Sequence, residues 1–243
     1  MIPDLPKTIA HRGASSDAPE NTAVAFELAK LKGASWVEFD VMLTADEEVI
    51  VMHDTTLDRT TNGEGLVAAM SLAELNALDA GAWFDPLYVG VKIPTLKEVL
   101  MVCAKAALGI NIEIKPNDGR VSLLVDKVLN HVGRYWPAHL PEPLYSSFNA
   151  LAVRQVCDKV PNAYLATILA EWDENWQGLA DELATVTVHL NEAIVTEERV
   201  KAIKATNRQV LAYTVNDPER ARELLAMDVD CVFSDKADLL LPK

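Results

Sequence analysis

The feature that most constrains the fold is a regular alternation between short apolar stretches and amphipathic stretches along most of the 243 residues. Stretches typical of β-strands lie at residues 8–11, 36–41, 110–115, 144–147, 163–168, 185–190, 210–215 and 231–234. Helical patterns separate them, and a clear example begins after Thr95, where apolar residues recur at i, i+3, i+4 and i+7 from Leu96. Eight strand–helix units in a chain of this length predict a (β/α)8 TIM barrel.

A doubly wound open sheet is the alternative, because it has the same alternation of elements. Two features favour the barrel. The GxGxxG motif of a dinucleotide fold is absent after the first strand. Polar residues also gather at the carboxyl ends of many strands, whereas an open sheet would place them at one crevice. We predict one domain over residues 1–243, with a small insertion at about residues 55–93, where turn signals such as Asn62-Gly63 replace the alternation.

Composition excludes several classes of partner. The formal net charge of −14 argues against nucleic acid, because a phosphate backbone needs Lys and Arg for binding. No apolar run reaches membrane-spanning length, so we expect no membrane insertion. The start of the chain lacks the pattern of a secretory signal, and the three cysteines are too scattered for a disulfide framework. We therefore expect a cytoplasmic protein, and the sequence leaves open whether it forms a homodimer.

Two predicted strands carry charged residues on an otherwise apolar background. Residues two apart in a strand point to the same face, so Glu38 and Asp40 share one face, and Glu113 and Lys115 share another. One interpretation of the Glu38–Asp40 pair is an edge strand with a solvated acidic face. The other is a buried pair, which would require a cation, because two buried carboxylates repel each other and lose their hydration.

The predicted barrel brings these residues together with others. Carboxyl ends of barrel strands meet at one mouth, where the first strand delivers His11 and Arg12 and the segment returning from the second strand ends in His53. Carboxylate oxygens suit Mg²⁺ or Ca²⁺, and the lack of a Cys-His cluster argues against structural zinc. Alternatives to a functional site are that Glu113 and Lys115 form a structural ion pair and that Arg12 is part of a plain turn. The joint placement favours a metal-dependent enzyme.

Nine short motifs are similar to those of the glycerophosphodiester phosphodiesterases, most closely the short cytoplasmic bacterial type. In chain order they are His11-Arg12-Gly13, Pro19-Glu20-Asn21-Thr22, Glu38-Phe39-Asp40-Val41, Val51-Met52-His53-Asp54, Leu57-Asp58-Arg59-Thr60-Thr61-Asn62-Gly63, Ile93-Pro94-Thr95-Leu96, Ile112-Glu113-Ile114-Lys115, Ser147-Phe148-Asn149 and Thr214-Val215-Asn216. Their order and spacing extend over nearly the full chain, and residues 55–93 resemble the small insertion of that family.

The resemblance implies a TIM barrel and a role in glycerol and lipid metabolism. The implied reaction is metal-dependent hydrolysis of glycerophosphodiesters, such as glycerophosphocholine or glycerophosphoethanolamine, to sn-glycerol 3-phosphate and an alcohol. One divalent ion, Mg²⁺ or Ca²⁺, is the implied cofactor. Carried over by position, the implied metal ligands are Glu38, Asp40 and Glu113, and the implied acid–base pair is His11 and His53. The implied phosphate contacts are Arg12 and Lys115. Tyr213 is the implied contact to the glycerol part of the substrate, at a position where the family usually has Trp.

Several alternatives stay open at the level of sequence. Either histidine could be the acid, and either water or a substrate hydroxyl could attack. A phospholipase D-like action on lysophospholipids and a non-catalytic phosphodiester-binding protein are the rival functions. The last strand ends in Ser234-Asp235-Lys236-Ala237, which departs from the family's pattern, and we interpret this segment as lying outside the chemistry.

Overall fold

Residues 1–240 are described by a computed structural model, which contains nine strands and eight α-helices in that range. The strands are β1 (Thr8–His11), β2 (Trp36–Leu43), β3 (Val49–Val51), β4 (Gly109–Ile114), β5 (Leu144–Ser146), β6 (Tyr164–Leu169), β7 (Thr187–Asn191), β8 (Gln209–Tyr213) and β9 (Cys231–Ser234). The helices are α1 (Ala23–Leu31), α2 (Leu72–Ala77), α3 (Leu96–Lys105), α4 (Val121–Tyr135), α5 (Ala150–Lys159), α6 (Trp176–Glu182), α7 (Glu197–Lys204) and α8 (Pro218–Ala226). Short 3-10 turns lie at Val67–Ala69, Pro86–Tyr88 and Glu192–Ile194.

Eight of these strands form a closed parallel barrel. The hydrogen-bonded order is β1, β2, β4, β5, β6, β7, β8 and β9, and β9 pairs with β1 to close the ring. The predicted TIM barrel is therefore confirmed. The ninth strand, β3, pairs antiparallel with the end of β2 outside the ring, and sequence analysis had treated it only as a return segment. Within residues 1–240, no helix is both long and apolar enough to cross a bilayer.

Strand β2 separates its side chains by face as the sequence predicts. Val37 and Phe39 point outward into the apolar layer between barrel and helices, where the ring of Phe39 lies 5.7 Å from that of Phe26. Glu38 and Asp40 point into the barrel and are almost fully buried. The alternative of a solvated acidic edge strand is therefore wrong, because β2 has strands on both sides and both faces of it are covered.

The barrel interior is apolar toward the amino ends of its strands. The ring of Trp36 packs directly against Gly109, and a Cβ added to Gly109 would lie 2.2 Å from this ring. Gln209 accepts a 2.6 Å hydrogen bond from the backbone N–H of Ile2, which packs in the same cluster. Because this end is packed with apolar groups, the charged interior residues are confined to the carboxyl ends of the strands.

The segment between β3 and α3 carries its own small apolar cluster. Leu57 and Leu75 are fully buried there and pack with residues of the β2–β3 hairpin. The Asp79 carboxylate accepts hydrogen bonds from the backbone N–H groups of Gly81 and Gly90, which ties together a turn-rich stretch. This segment therefore has a packed position against the barrel instead of forming a bare loop.

Candidate active site

Three carboxylates meet at the mouth, which is the end of the barrel where its parallel strands finish. Glu38 and Asp40 come from β2 and Glu113 from β4, and Asp40 lies directly opposite Glu113 in the register of the two strands. One carboxylate oxygen from each residue lies within 4.8 Å of the others. The inward face of two neighbouring strands thus forms one acidic cluster, and these three residues could hold a metal ion.

The electrostatics of the cluster show a shortage of positive charge. Burial, and then the charges of Asp40 and Glu113, raise the pKa of Glu38 well above its usual value. Burial and Asp40 also raise the pKa of Glu113, to about 7. Among residues 1–240, the buried Oε1 atom of Glu38 has no hydrogen-bond partner. A divalent cation would supply both the missing charge and the missing contact, and the all-oxygen donor set fits Mg²⁺ or Ca²⁺.

Arg12 and Lys115 lie on either side of Asp40. Nε of Arg12 is 3.6 Å from Asp40 Oδ2, and Nζ of Lys115 is 3.5 Å from Asp40 Oδ1 and 3.9 Å from a Glu113 oxygen. Burial alone would raise the pKa of Asp40, but Lys115 and Arg12 outweigh it, so the pKa is lowered. Lys115 therefore does not pair with Glu113 alone, and two cations contact Asp40, the central carboxylate of the cluster.

The loop after β1 has a demanding backbone shape. Arg12 has φ 55° and Gly13 has φ 83°, both in the left-handed region. A Cβ on Gly13 would lie 2.7 Å from the backbone of Ala25, so a larger residue would displace α1. The backbone N–H of Arg12 donates a 3.0 Å hydrogen bond to Glu38 Oε2. Arg12 is therefore held against the carboxylate cluster and is not part of a plain turn.

His11 is oriented by a carboxylate from the far end of the chain. Its Nδ1 lies 2.7 Å from Asp235 Oδ1, and its Nε2 lies 3.9 Å from Glu38 Oε2. Asp235 also accepts hydrogen bonds from Asn216 and Ser15. Burial opposes the charge of Asp235, but the hydrogen bonds from His11 and Asn216 lower its pKa to about 2. Asp235 therefore stays ionised and turns Nε2 of His11 toward the cluster.

His53 has a carboxylate partner of its own. Its Nδ1 lies 2.6 Å from Oδ1 of the adjacent Asp54. Burial lowers the pKa of His53, and the charges of Arg12 and Lys115 lower it further, against the opposing charge of Asp40. The neutral imidazole therefore predominates at neutral pH, with Nδ1 committed to Asp54.

A cavity opens into the barrel beside the cluster. Its lining includes His11, Asn111 and Tyr213. In the part of the chain that the structure describes, Asn111 Oδ1 and Tyr213 Oη are buried without a hydrogen-bond partner. Phe148 packs edge-on against Tyr213 with ring centres 6.2 Å apart. The cavity thus combines an aromatic wall with polar atoms that are free to contact a small hydroxylated group.

Comparison with known proteins identifies the family. A model described as the glycerophosphoryl diester phosphodiesterase family matches residues 11–239. The chain belongs to this family. A glycerophosphodiester phosphodiesterase of Caldanaerobacter subterraneus is 32% identical over 96% of the chain and 95% of the relative. One from Bacillus subtilis is 34% identical over 98% of the chain and 86% of the relative. The resemblance seen in the sequence motifs is confirmed.

Solved structures agree with this membership of the glycerophosphodiester phosphodiesterase family. A phosphodiesterase of Oleispira antarctica, solved in complex with its product sn-glycerol-3-phosphate, superposes with a TM-score of 0.94. It is 37% identical, and the match covers 96% of this chain and 94% of the Oleispira chain. A glycerophosphodiester phosphodiesterase of Thermotoga maritima superposes with a TM-score of 0.76 at 27% identity, over 97% and 96% of the two chains.

Sequence reasoning missed several residues at the mouth of the barrel. The sequence places the segment that contains Asp235 outside the proposed chemistry, whereas in the structure Asp235 lies 2.7 Å from the candidate residue His11. The same rule that placed Glu38 would have found it, because Asp235 follows the last barrel strand. His189 also lines the cavity, and burial lowers its pKa to about 3, so this histidine is neutral. Asn111 lies one inward position before Glu113 and drew no attention as an uncharged residue.

Proposed function

We propose that this protein hydrolyses glycerophosphodiesters, such as glycerophosphocholine or glycerophosphoethanolamine, to sn-glycerol 3-phosphate and an alcohol. The proposed reaction depends on a divalent metal and uses His11 and His53 as its acid–base pair. The observation that carries the proposal is the buried three-carboxylate cluster with two cations and two carboxylate-held histidines around it. The product bound to the Oleispira relative supports the substrate class.

Glu38, Asp40 and Glu113 would hold one Mg²⁺ or Ca²⁺ ion. A cation bound there supplies Lewis acidity, which withdraws charge from phosphoryl oxygens. Arg12 and Lys115 face the same region and would bind the remaining negative charge of the phosphodiester. Because both groups are already fixed by Asp40, little reorganisation accompanies the rise of charge on the phosphoryl oxygens in the transition state.

Each histidine has one ring nitrogen free for proton transfer. Nδ1 of His11 is engaged by Asp235 and Nδ1 of His53 by Asp54, which leaves both Nε2 atoms for the substrate. One Nε2 would accept the proton of the attacking hydroxyl, and the other would donate a proton to the departing alcohol oxygen. Imidazole suits both tasks because its reference pKa lies near neutrality.

The cavity beside the cluster would take the glycerol part of the substrate. The unpartnered Asn111 Oδ1 can accept a hydrogen bond from a glycerol hydroxyl, and Tyr213 Oη can donate one. The aromatic pair of Tyr213 and Phe148 would pack against the carbon chain. With the glycerol part in the cavity and the phosphate at the carboxylate cluster, the alcohol part of the diester would point toward solvent.

The experiment that tests the function measures sn-glycerol 3-phosphate released from glycerophosphocholine by purified protein. We expect product with Mg²⁺ or Ca²⁺, none after EDTA treatment, and recovery when the cation is restored. Product formed at the same rate in excess EDTA contradicts the metal dependence. Absence of product under all conditions, together with binding of the intact diester, favours the non-catalytic alternative. Lysophosphatidylcholine is assayed in parallel for choline release, because that product alone would favour the phospholipase D-like alternative.

Replacement of Lys115 by methionine is expected to lower kcat/KM for glycerophosphocholine by about 10²-fold, because a charge stabiliser at the phosphate is lost. The melting temperature should change little, since Asp40 keeps its contact to Arg12. Lys159→Met is the matched control, because Lys159 pairs with Asp126 on the outer helices and should leave kcat/KM unchanged. A Lys115→Met protein that unfolds easily but keeps its specific activity would instead assign Lys115 a structural role.

A further inference from the structure

Arg59, in the segment after β3, binds two carboxylates at once. Its Nε and Nη2 donate to the two oxygens of Asp54 at 2.6 and 3.0 Å. Its Nη1 and Nη2 donate to the two oxygens of Glu20 at 2.7 and 2.8 Å. The guanidinium therefore makes two bidentate ion pairs, a geometry that fixes both carboxylates in position and in rotation.

Both carboxylates lead directly to the proposed catalytic machinery. Asp54 Oδ1 lies 2.6 Å from Nδ1 of His53, and Glu20 Oε1 accepts a 2.8 Å hydrogen bond from Nη1 of Arg12. His53 follows β3, whereas Arg12 follows β1, so the two lie on different loops. The continuous series His53–Asp54–Arg59–Glu20–Arg12 connects these loops through the one guanidinium of Arg59.

We propose that Arg59 is a positioning residue, which fixes the imidazole of His53 and the guanidinium of Arg12 relative to each other. This inference rests on the proposed function, because it takes His53 as an acid–base group and Arg12 as a phosphate contact. The side-chain hydrogen bonds of Arg59 go to Asp54 and Glu20, and neither of these belongs to the three-carboxylate cluster. Arg59 acts through Asp54 on proton transfer and through Glu20 on substrate binding.

The physical case depends on what each carboxylate can do without Arg59. Asp54, held at both oxygens, can present Oδ1 to His53 in one orientation only. Freed from Arg59, its side chain can rotate about its own bonds, and the imidazole loses its fixed tautomer and direction. Lysine cannot replace this contact, because a single ammonium lacks the planar fork that binds two carboxylates in bidentate fashion.

A purely structural role for Arg59 is the alternative. The Arg59 side chain is 44% exposed, and partly solvated ion pairs contribute little to folding stability. The surrounding segment has other attachments, since Leu57 is fully buried and Asp79 ties two turns together. Removal of the guanidinium should therefore disturb the site while the segment stays folded.

The primary test compares Arg59→Met and Arg59→Lys with wild type on glycerophosphocholine. We expect Arg59→Met to lower kcat by about 10- to 100-fold, because misplacement of a catalytic group by about 1 Å has an effect of this size. Arg59→Lys should keep most of the defect, so that log kcat recovers less than half of the difference between Arg59→Met and wild type. The matched control is Arg154→Met, since Arg154 pairs with Glu182 on the outer helices and should leave kcat unchanged. Equal kcat in Arg59→Met and wild type overturns the proposal.

The two branches of the series can be separated. Asp54→Asn should reproduce the fall in kcat. Glu20→Gln should mainly raise KM, because it loosens Nη1 of Arg12 while Asp40 still holds Nε of Arg12 at the cluster. In a His53→Ala background, Arg59→Met should lower kcat by less than about threefold, since its route through His53 is already absent. If the two kcat losses multiply in the double variant, Arg59 does not act through His53 and the proposal is wrong.

A readout that is independent of turnover separates this inference from the proposed function. Nitrogen-15 NMR of the imidazole, assigned with His53→Ala, should show His53 protonated on Nδ1 in wild type and as a mixture of tautomers in Arg59→Met. If wild type hydrolyses no glycerophosphodiester but this change occurs, the proposed function fails while the positioning role stands. If wild type is active and Arg59→Met keeps both the tautomer and kcat, the positioning role fails alone.

Discussion

Replacement of Asp40 by asparagine is expected to abolish binding of divalent cations and to lower kcat by about 10³-fold or more. Asp40 is the carboxylate at the centre of the site, in register with Glu113 and in contact with Arg12 and Lys115. It is also the carboxylate whose lowered pKa keeps it ionised beside Glu38. Asparagine keeps the side-chain shape, including a hydrogen-bond acceptor for Asn21, but removes the charge that a cation requires.

Titration calorimetry with Mg²⁺ and Ca²⁺ measures the binding, and release of sn-glycerol 3-phosphate measures turnover. The matched control is Asp126→Asn, an exposed aspartate on α4 that pairs with Lys159 and should retain both properties. Saturating cation should raise the melting temperature of wild type and of Asp126→Asn, because a ligand that binds the folded state stabilises it. It should not raise that of Asp40→Asn, which would not bind the cation. Wild-type turnover by Asp40→Asn would show that the cluster is not the metal site.

Replacement of His11 or His53 by alanine is expected to lower kcat by about 10²- to 10⁴-fold, the usual contribution of a positioned acid or base. Cation binding should persist in both variants, because neither imidazole is among the three clustered carboxylates. His131→Ala is the control, since His131 lies on α4 with Nδ1 at 2.8 Å from a backbone oxygen of its own helix. It should keep wild-type kcat.

A substrate with a good leaving group distinguishes the acid from the base. The nitrophenolate of a nitrophenyl phosphodiester departs without protonation, so this substrate should restore activity to the variant that lacks the acid and not to the other. The wild-type pH–rate profile for glycerophosphocholine should be bell-shaped, with one limb lost in each variant. Equal losses by both variants on both substrates would contradict this division of roles. A variant with undiminished turnover of glycerophosphocholine would remove that histidine from the mechanism.

Much of the fold was predictable because side-chain periodicity reports local burial. The alternation of Val37, Glu38, Phe39 and Asp40 corresponds to an outward apolar face and an inward charged face, as the structure has them. Strand ends were less predictable. The strand expected at residues 185–190 is observed at Thr187–Asn191, because hydrogen bonds to neighbouring strands, and not side-chain pattern, decide where a strand stops.

The candidate site was predictable to the extent that its residues follow strands. The sequence predicts that four charged residues lie close together, because parallel strands in a barrel finish at one mouth. These residues are Glu38, Asp40, Glu113 and Lys115. The same rule does not say which side chain contacts which. Lys115 lies nearer to Asp40 than to its sequence neighbour Glu113, since the register between β2 and β4 sets these distances.

By itself, then, the sequence determined the barrel, the inward face of each charged strand and the family, all of which depend on local pattern and motif order. Only the tertiary structure decided how the two histidines and Arg12 are held. His11 meets Asp235 across 224 positions, and Arg59 meets Glu20 across 39. Contacts of this kind arise where the last strand closes the ring against the first and where a segment folds back over the mouth. No periodicity along the chain encodes them, because periodicity records burial of each residue and not the identity of its distant partner.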